Sequence, residues 1–278
     1  MRTALLLQCP DRPGIVAAVG AYVADLGGNV VEADQHSDPA ANLFLQRVEF
    51  DVDSSLEMLR DGFEPLAQQF SMEWSLHDLA TRPRVALLAS RQGHCLADLL
   101  VRDALGELPG EIVLVASNHD THAALVGRFG VTFEHLPVGD DRSVQERAVA
   151  ALLDETAPDV VVLARYMRVL PAWLVDGWAH RMINIHHSFL PSFAGARPYA
   201  QAHERGVKVI GATAHYVTPD LDEGPIIAQQ VLPVSHRDDP NRLERRGRDL
   251  EAVVLAEALR LHLEHRVIVY GRRTAVFD

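Results

Sequence analysis

The sequence has very few of the residues on which disulfide frameworks and lysine chemistry depend. Its cysteines are Cys9 and Cys95, and Lys208 is its only lysine. The two cysteines lie far apart and form no CxxC pair, which argues against a disulfide framework or a cysteine-rich zinc site and favours a reducing environment. With a single lysine, most covalent mechanisms that use a lysine amine are excluded.

The sequence also lacks a long apolar run, an apolar leader and an excess of positive charge. No run of 18 apolar residues is present, so we expect no membrane-spanning helix. The apolar run before Gln8 is too short for the core of an export signal, so we expect none. The formal net charge is −12, which disfavours binding to nucleic acid or to an acidic membrane. We therefore expect a cytoplasmic protein that binds neither.

The first 80 residues have the apolar spacing of a small mixed domain. They predict strands at 3–8, 29–34, 43–52 and 71–78, with helices at 15–26 and 55–70. The resulting order, βαββαβ, is the ferredoxin-like arrangement, in which two helices cover one face of a four-stranded antiparallel sheet.

The turn between the first strand and the first helix has the sequence Asp11-Arg12-Pro13-Gly14-Ile15. With this signature, residues 1–80 resemble an ACT domain, a small amino-acid-sensing module that usually works in pairs. The resemblance implies an effector such as glycine or methionine near Asp11, Gly14 and Asn29, and a homodimer or homotetramer. The simpler interpretation is that Gly14 only provides the turn geometry for the start of the helix.

After a linker at 81–84, the pattern changes to short continuous apolar runs, which are typical of strands buried on both faces. These runs are at 85–89, 112–117, 132–136, 160–163 and 182–186, and helices are predicted between them at 96–105, 121–129, 143–155 and 171–178. Two further strands at 208–217 and 225–233, a helix at 241–265 and a terminal hairpin at 266–277 follow. The sequence therefore predicts a mostly parallel, Rossmann-like sheet and a second domain at 85–278.

Two polar residues, Asn184 and His186, interrupt the apolar run at 182–186. On a strand their side chains share one face, and the Leu-Pro-Ser and Ala-Gly sequences at 190–195 predict that a loop begins just beyond them. Asp222 follows the strand at 208–217 and precedes a Gly-Pro turn, which brings its carboxylate to the rim of the sheet. An amide donor, an imidazole and a carboxylate suit acyl chemistry on a carbonyl that becomes an oxyanion.

The motifs Asn-Ile-His, Ser-Phe-Leu-Pro and His-x₆-Asp-x-Gly-Pro resemble those of the formyltransferase fold that uses 10-formyltetrahydrofolate. Within that fold, nearly the whole chain is similar to the formyltetrahydrofolate deformylases, hydrolases of a linear amide C–N bond that feed purine synthesis and balance the one-carbon folate pool. The resemblance implies a folate substrate, no metal and no other cofactor. It further implies that Asn184, His186 and Asp222 are catalytic, with His187 and His215 as possible supporting residues. The implied substrate-binding residues are Met167, Arg168, Leu170, Val217 and Thr218.

Other functions remain open at this point. The loop at 90–95 has a single glycine, which poorly supports the acceptor-phosphate cradle of glycinamide-ribonucleotide transferases, and His187 stands where those transferases carry a proline. The alternatives are formyl transfer to an amine and a non-catalytic amino-acid or folate sensor. His94 and Cys95 are more simply a helix start and a core residue than a nucleophile pair. We expect no HxH motif, no HExxH motif and no His–Cys cluster, and therefore no metal site.

Overall fold

The structure, a computed structural model, describes residues 1–191 and 198–278 and divides into two compact units. The first unit combines Met1–Arg82 with Glu264–Asp278, and the second is Pro83–Leu263. The terminal hairpin, which the sequence analysis assigned to a second domain at 85–278, thus belongs to the first unit. The loop predicted after Asn184 and His186 falls partly at 192–197, outside the described residues.

The first unit contains a four-stranded antiparallel sheet. Its elements are β1 (Arg2–Pro10), α1 (Ile15–Asp25), β2 (Asn29–Asp38), β3 (Leu43–Asp51), α2 (Leu56–Phe70) and β4 (Glu73–Asp78). The strand order is β2-β3-β1-β4, with β1 antiparallel to both of its neighbours. The predicted βαββαβ order is therefore confirmed.

The side chains of β1 explain why the terminal hairpin belongs here. Leu5 and Leu7 point into the core under the two helices, whereas Ala4 and Leu6, on the opposite face, are buried against Ile268 and its neighbours in the hairpin. The hairpin consists of β12 (Val267–Tyr270) and β13 (Arg273–Val276). A sheet that is apolar on both faces needs a cover on each, and the hairpin provides the second one.

The second unit is built on a seven-stranded sheet. Its elements are β5 (Arg84–Ala89), α3 (His94–Ala104), β6 (Glu111–Ser117), a 3₁₀ turn (Asp120–His122), α4 (Ala123–Gly127), β7 (Thr132–His135), α5 (Arg142–Thr156), β8 (Val160–Ala164), α6 (Ala172–Asp176), β9 (Met182–His186), α7 (Pro198–Glu204), β10 (Val209–Tyr216), β11 (Ile226–Pro233) and α8 (Pro240–Leu263). The strand order is β11-β10-β9-β8-β5-β6-β7. The five strands β5 to β9 are parallel, and β10 runs antiparallel to β9 and β11. The predicted mostly parallel α/β sheet is confirmed, whereas α7 was not predicted.

The pairing of β9 with β10 brings polar side chains into register. His215 lies directly opposite Asn184, and Thr213 lies opposite His186. A β-bulge at Ala214/His215 shifts the pairing of β10 with β11 at this point, and bulges commonly redirect a side chain next to a functional site. No helix among the described residues is both long and apolar enough to cross a membrane.

Candidate active site

A cavity of about 620 Å³ lies beside the ends of β8 and β9, the loop after β10 and one face of α8. All ten residues that the sequence analysis placed in or near the catalytic site line this cavity: Met167, Arg168, Leu170, Asn184, His186, His187, His215, Val217, Thr218 and Asp222. The structure therefore brings the predicted set together, while the role of each residue stays a prediction.

Asp222 lies between two imidazole rings. Its Oδ2 is 3.2 Å from Nδ1 of His186, and its Oδ1 is 3.7 Å from Nε2 of His215. The contact with His186 is the main cause that holds the pKa of the Asp222 carboxyl well below its ordinary value, and burial opposes it. Asp222 is therefore a carboxylate throughout the physiological pH range, and Nδ1 of His186 carries a hydrogen that faces it.

The hydrogen bonds of His215 define the orientation of Asn184. Nδ1 of His215 lies 2.9 Å from the carbonyl oxygen of Tyr216, which only accepts, so Nδ1 carries the ring hydrogen. Nε2 of His215 then accepts a hydrogen bond from Nδ2 of Asn184 at 3.2 Å. Because an amide nitrogen has two hydrogens, Asn184 keeps one with which to bind a ligand. Nε2 of His186 is also buried and has no hydrogen-bond partner among the described residues.

Two residues of the site have a left-handed backbone conformation although neither is glycine. Asp222 has φ 57° and Arg165 has φ 61°. A left-handed conformation costs a non-glycine residue roughly 1 to 2 kcal/mol, and such strain occurs preferentially at functional sites. Gly224 lets the Asp222 loop fold close to β10, since a Cβ at this position would lie 1.7 Å from the carbonyl oxygen of Tyr216.

A second polar network lies behind His187. Nη1 of Arg165 is 2.6 Å from Nδ1 of His187, and Nε of Arg165 lies 3.0 Å from Oε1 of Gln92 and 3.2 Å from Oε2 of Glu251. Glu251 also accepts the hydroxyl of Tyr199 at 2.6 Å. Burial disfavours the ionised form of Glu251, but hydrogen bonds and the Arg165 charge still lower its pKa. The sequence analysis missed Arg165, Gln92, Tyr199 and Glu251.

The structure contradicts the expectation that no His–Cys cluster is present. Potential ligand atoms of His94, Cys95 and Glu251 lie within 4.8 Å of one another. The chemistry of the group suits hydrogen bonding better than a cation, because Nε2 of His94 is 2.8 Å from Glu251 and the Arg165 guanidinium already contacts the same carboxylate. Burial, followed by the charge of Glu251, raises the pKa of the Cys95 thiol well above its ordinary value, so the thiol stays protonated.

The loop after β8 forms one wall of the cavity. Met167 is 59% exposed, whereas Leu170 is buried beneath it, so the loop presents one apolar side chain and anchors another. The backbone N–H of Met167 donates to Oγ of Ser90 at 3.2 Å, and this hydroxyl donates to Oδ1 of Asn118 at 2.7 Å. The wall is therefore tied to the loops that follow β5 and β6.

The residues predicted to hold an amino-acid effector lie in the first unit. Gly14 precedes α1 with φ 99°, a conformation that favours glycine, so the turn alone accounts for this residue. The N–H of Asp11 donates to the carbonyl oxygen of Asn42, and Asn29 begins β2. An effector role for these residues stays a prediction.

Comparison with known proteins agrees with this architecture. A family model described as "Formyl transferase" matches residues 83–259, and one described as "ACT domain" matches residues 3–61. The second unit thus defines a formyltransferase-fold protein. A formyltetrahydrofolate deformylase from Synechocystis sp. is 50% identical over 98% of this chain and 97% of its own length. The chain belongs to the formyltetrahydrofolate deformylase family.

Solved structures give the same relationship. A formyltetrahydrofolate deformylase from Pseudomonas syringae pv. tomato is 48% identical and superimposes with a TM-score of 0.98, covering 100% of this chain and 95% of that one. A glycinamide ribonucleotide transformylase from Symbiobacterium toebii is 35% identical with a TM-score of 0.67, covering 71% of this chain and 95% of that one. The resemblance to the deformylases thus extends over the whole chain.

Proposed function

We propose that this protein hydrolyses 10-formyltetrahydrofolate to tetrahydrofolate and formate. The observation that carries the proposal is the meeting of Asn184, His186 and Asp222 in one cavity, where an ionised carboxylate contacts an imidazole and an amide has a hydrogen to donate. Family membership supports the same reaction, because the relatives are named for it.

The reaction begins when the oxygen of a water molecule attacks the formyl carbon and one water proton passes to Asp222. Asn184 and doubly protonated His186 donate hydrogen bonds to the oxyanion that forms. The C–N10 bond then breaks, N10 takes a proton from His186, and tetrahydrofolate leaves as the amine while the formyl group becomes formic acid, which ionises. The site is restored when Asp222 releases its proton to solvent and His186 regains one.

The pterin is proposed to bind along the wall formed by Met167, Arg168 and Leu170 on one side and by Val217 and Thr218 on the other. All five residues line the cavity. Three of them are apolar and suit a flat ring, and the other two provide the few directional contacts that orient a ligand in such a pocket.

The proposed hydrolysis needs no metal and no other cofactor. Water activation is assigned to Asp222, which is ionised and so is free to accept a proton. The His94, Cys95 and Glu251 group is occupied by internal hydrogen bonds and by Arg165, so its donor set does not favour a cation.

The first experiment is to measure formate and tetrahydrofolate release from 10-formyltetrahydrofolate without an amine acceptor, with and without a chelator. The wild type and Asp222→Asn are compared. Release that resists the chelator and falls at least 10²-fold in the variant supports the proposed reaction. No release by the wild type, or release only after an amine is added, would refute hydrolysis and favour formyl transfer. Folate binding without turnover would indicate a sensor.

In the cell, we propose that the enzyme acts in the cytoplasm, balances the one-carbon folate pool and provides formate for purine synthesis. The ACT match supports an amino-acid effector such as glycine or methionine, and the pairing typical of such domains supports a homodimer or homotetramer. Calorimetry with glycine and with methionine, together with formate-release rates, tests the effector. If neither amino acid binds or changes the rate, that part of the proposal fails.

A further inference from the structure

The imidazole of His187 lines the cavity and lies next to a buried ion pair, Arg165 with Glu251. Its ring centroid is 5.0 Å from that of His186, with 30° between the ring planes, so the two histidines stand side by side at the end of β9. On a regular strand, adjacent side chains point to opposite faces. Because β9 ends at His186, His187 escapes that alternation, and both rings line the same cavity.

The contact with Arg165 sets the tautomer of His187. A guanidinium has hydrogen-bond donors only, so Nδ1 of His187 must accept the bond from Nη1 at 2.6 Å. The ring hydrogen of the neutral imidazole is therefore on Nε2. His187 is thus a hydrogen-bond donor of defined direction, like the imidazoles whose orientation is fixed by the partner of the other ring nitrogen.

Arg165 is itself held firmly in place. Its side chain is 7% exposed and is anchored by Gln92 and by Glu251, which is 1% exposed. Glu251 is in turn bonded by His94 and by Tyr199. Burying an ion pair carries a large desolvation penalty, and an apolar side chain of similar size would fill the same space at lower cost. A role for the network in orienting the His187 ring accounts for this desolvation penalty.

His187 also remains neutral where the reaction takes place. Burial, the Arg165 charge and His186 lower the pKa of His187 to about 4, while Glu251 and Asp222 act in the opposite direction. Tyr199 also faces the ring, with its centroid 6.2 Å from that of His187. At physiological pH, His187 therefore donates a hydrogen bond without carrying charge and does not compete with His186 as the proton donor.

We propose that His187 is a further catalytic residue, which donates a hydrogen bond from Nε2 to the attacking water, and that Arg165 is its positioning residue. This inference rests on the proposed hydrolysis. The water oxygen has two lone pairs, of which one attacks the formyl carbon and the other accepts the hydrogen bond from His187. One water proton passes to Asp222 as before, so the proton balance of the reaction is unchanged.

The test compares formation of two products by the wild type, His187→Phe and His187→Gln. Each enzyme receives 10-formyltetrahydrofolate alone or with hydroxylamine, a nucleophile that competes with water. Its nitrogen attacks the formyl carbon, the C–N10 bond breaks, N10 takes the proton that hydroxylamine loses, and formohydroxamate forms. Rates without enzyme are subtracted. His135→Phe, which alters an exposed histidine at the end of β7, is the matched control.

We expect His187→Phe to lower kcat for formate about 10- to 100-fold, as for a misplaced reactant, with KM for the folate changed less than about threefold. Formohydroxamate formation should change little, because abundant hydroxylamine needs no fixed water. His187→Gln, which keeps a donor near the position of Nε2, should recover part of the formate rate.

Three results would overturn the assignment. In the first, both products fall in parallel in the His187 variants, which would indicate a structural role. In the second, formate release is unchanged. In the third, the wild type makes formohydroxamate but no formate, which would refute the proposed hydrolysis itself and the role of His187 with it. His135→Phe should match the wild type for both products.

Discussion

The loop that carries Asp222 is held against β10 by a contact that only glycine permits. A Cβ added at Gly224 would lie 1.7 Å from the backbone oxygen of Tyr216 and 3.3 Å from Nδ1 of His215. Since carbon–oxygen contacts below 3.0 Å essentially do not occur, Gly224→Ala must increase that separation by at least 1.3 Å, the difference between 1.7 and 3.0 Å. The oxygen belongs to the backbone of a buried strand, so the loop has to move.

We expect this movement to displace Asp222, which lies two residues before Gly224. Its carboxylate is 3.2 Å from His186, and a further ångström would break that contact. A misplacement of about 1 Å in a catalytic site costs on the order of 10²-fold in rate. Gly224→Ala should therefore lower kcat for formate release about 10²-fold.

The assay combines formate-release kinetics with thermal unfolding, and Gly139→Ala is the control. Gly139 is in the same unit, and a Cβ there would meet no atom within 4 Å. The control should keep wild-type kinetics. If Gly224→Ala keeps near-normal kcat, or if Gly139→Ala loses as much activity, the link between this glycine and the position of Asp222 is refuted.

Three further predictions concern single side chains. Asn184→Ala should lower kcat roughly 10²- to 10³-fold with an unchanged melting temperature, and near-normal turnover would refute its oxyanion role. Arg165→Gln should raise the pKa of His187 from about 4, because it removes the positive charge beside the ring. The acid limb of the pH–rate profile should therefore move to higher pH, and an unshifted profile would contradict the coupling. Glu251→Gln should cost about 3 to 5 kcal/mol in urea unfolding at pH 7, because it leaves the buried Arg165 charge unpaired. The pKa of Glu251 is lowered in the folded protein, so its stabilisation is present above its unfolded value near 4.5 and is lost as pH falls; a deficit that does not shrink at acidic pH would contradict this.

The sequence predicted which polar residues meet in the cavity better than it predicted the residues that support them. Asn184 and His186 could be identified because period-two alternation within an apolar run is a local signal. The position of His215 directly opposite Asn184 depends on the register of two strands, with a bulge in β10, and neither is set by local sequence. The pairing of Arg165 with Glu251 was missed because a charged residue in a long amphipathic helix normally indicates the solvent-exposed face. Only the packing of α8 in the second unit shows that this carboxylate is buried.

The same limit explains the position of the terminal hairpin. Its two short strands were predicted, and their place in the chain suggested the second domain. Which sheet they cover depends on where an apolar face remains, and β1 has one on the side away from its helices, at Ala4 and Leu6. Apolar residues at successive positions of β1 indicate a strand that is buried on both faces, but they do not identify the segment that covers the second face.

The two carboxylates of the site differ in their exposure and in their partners. Asp222 is in contact with His186 and is partly exposed, so it can exchange a proton with water and with solvent. Glu251 is almost completely buried and is bonded to Arg165, His94 and Tyr199, so its charge is used internally. If Glu251 were instead the base, the Arg165 charge would be left unpaired each time Glu251 was protonated. In the proposed mechanism, proton transfer therefore belongs to Asp222, whereas Glu251 orients His187 through Arg165.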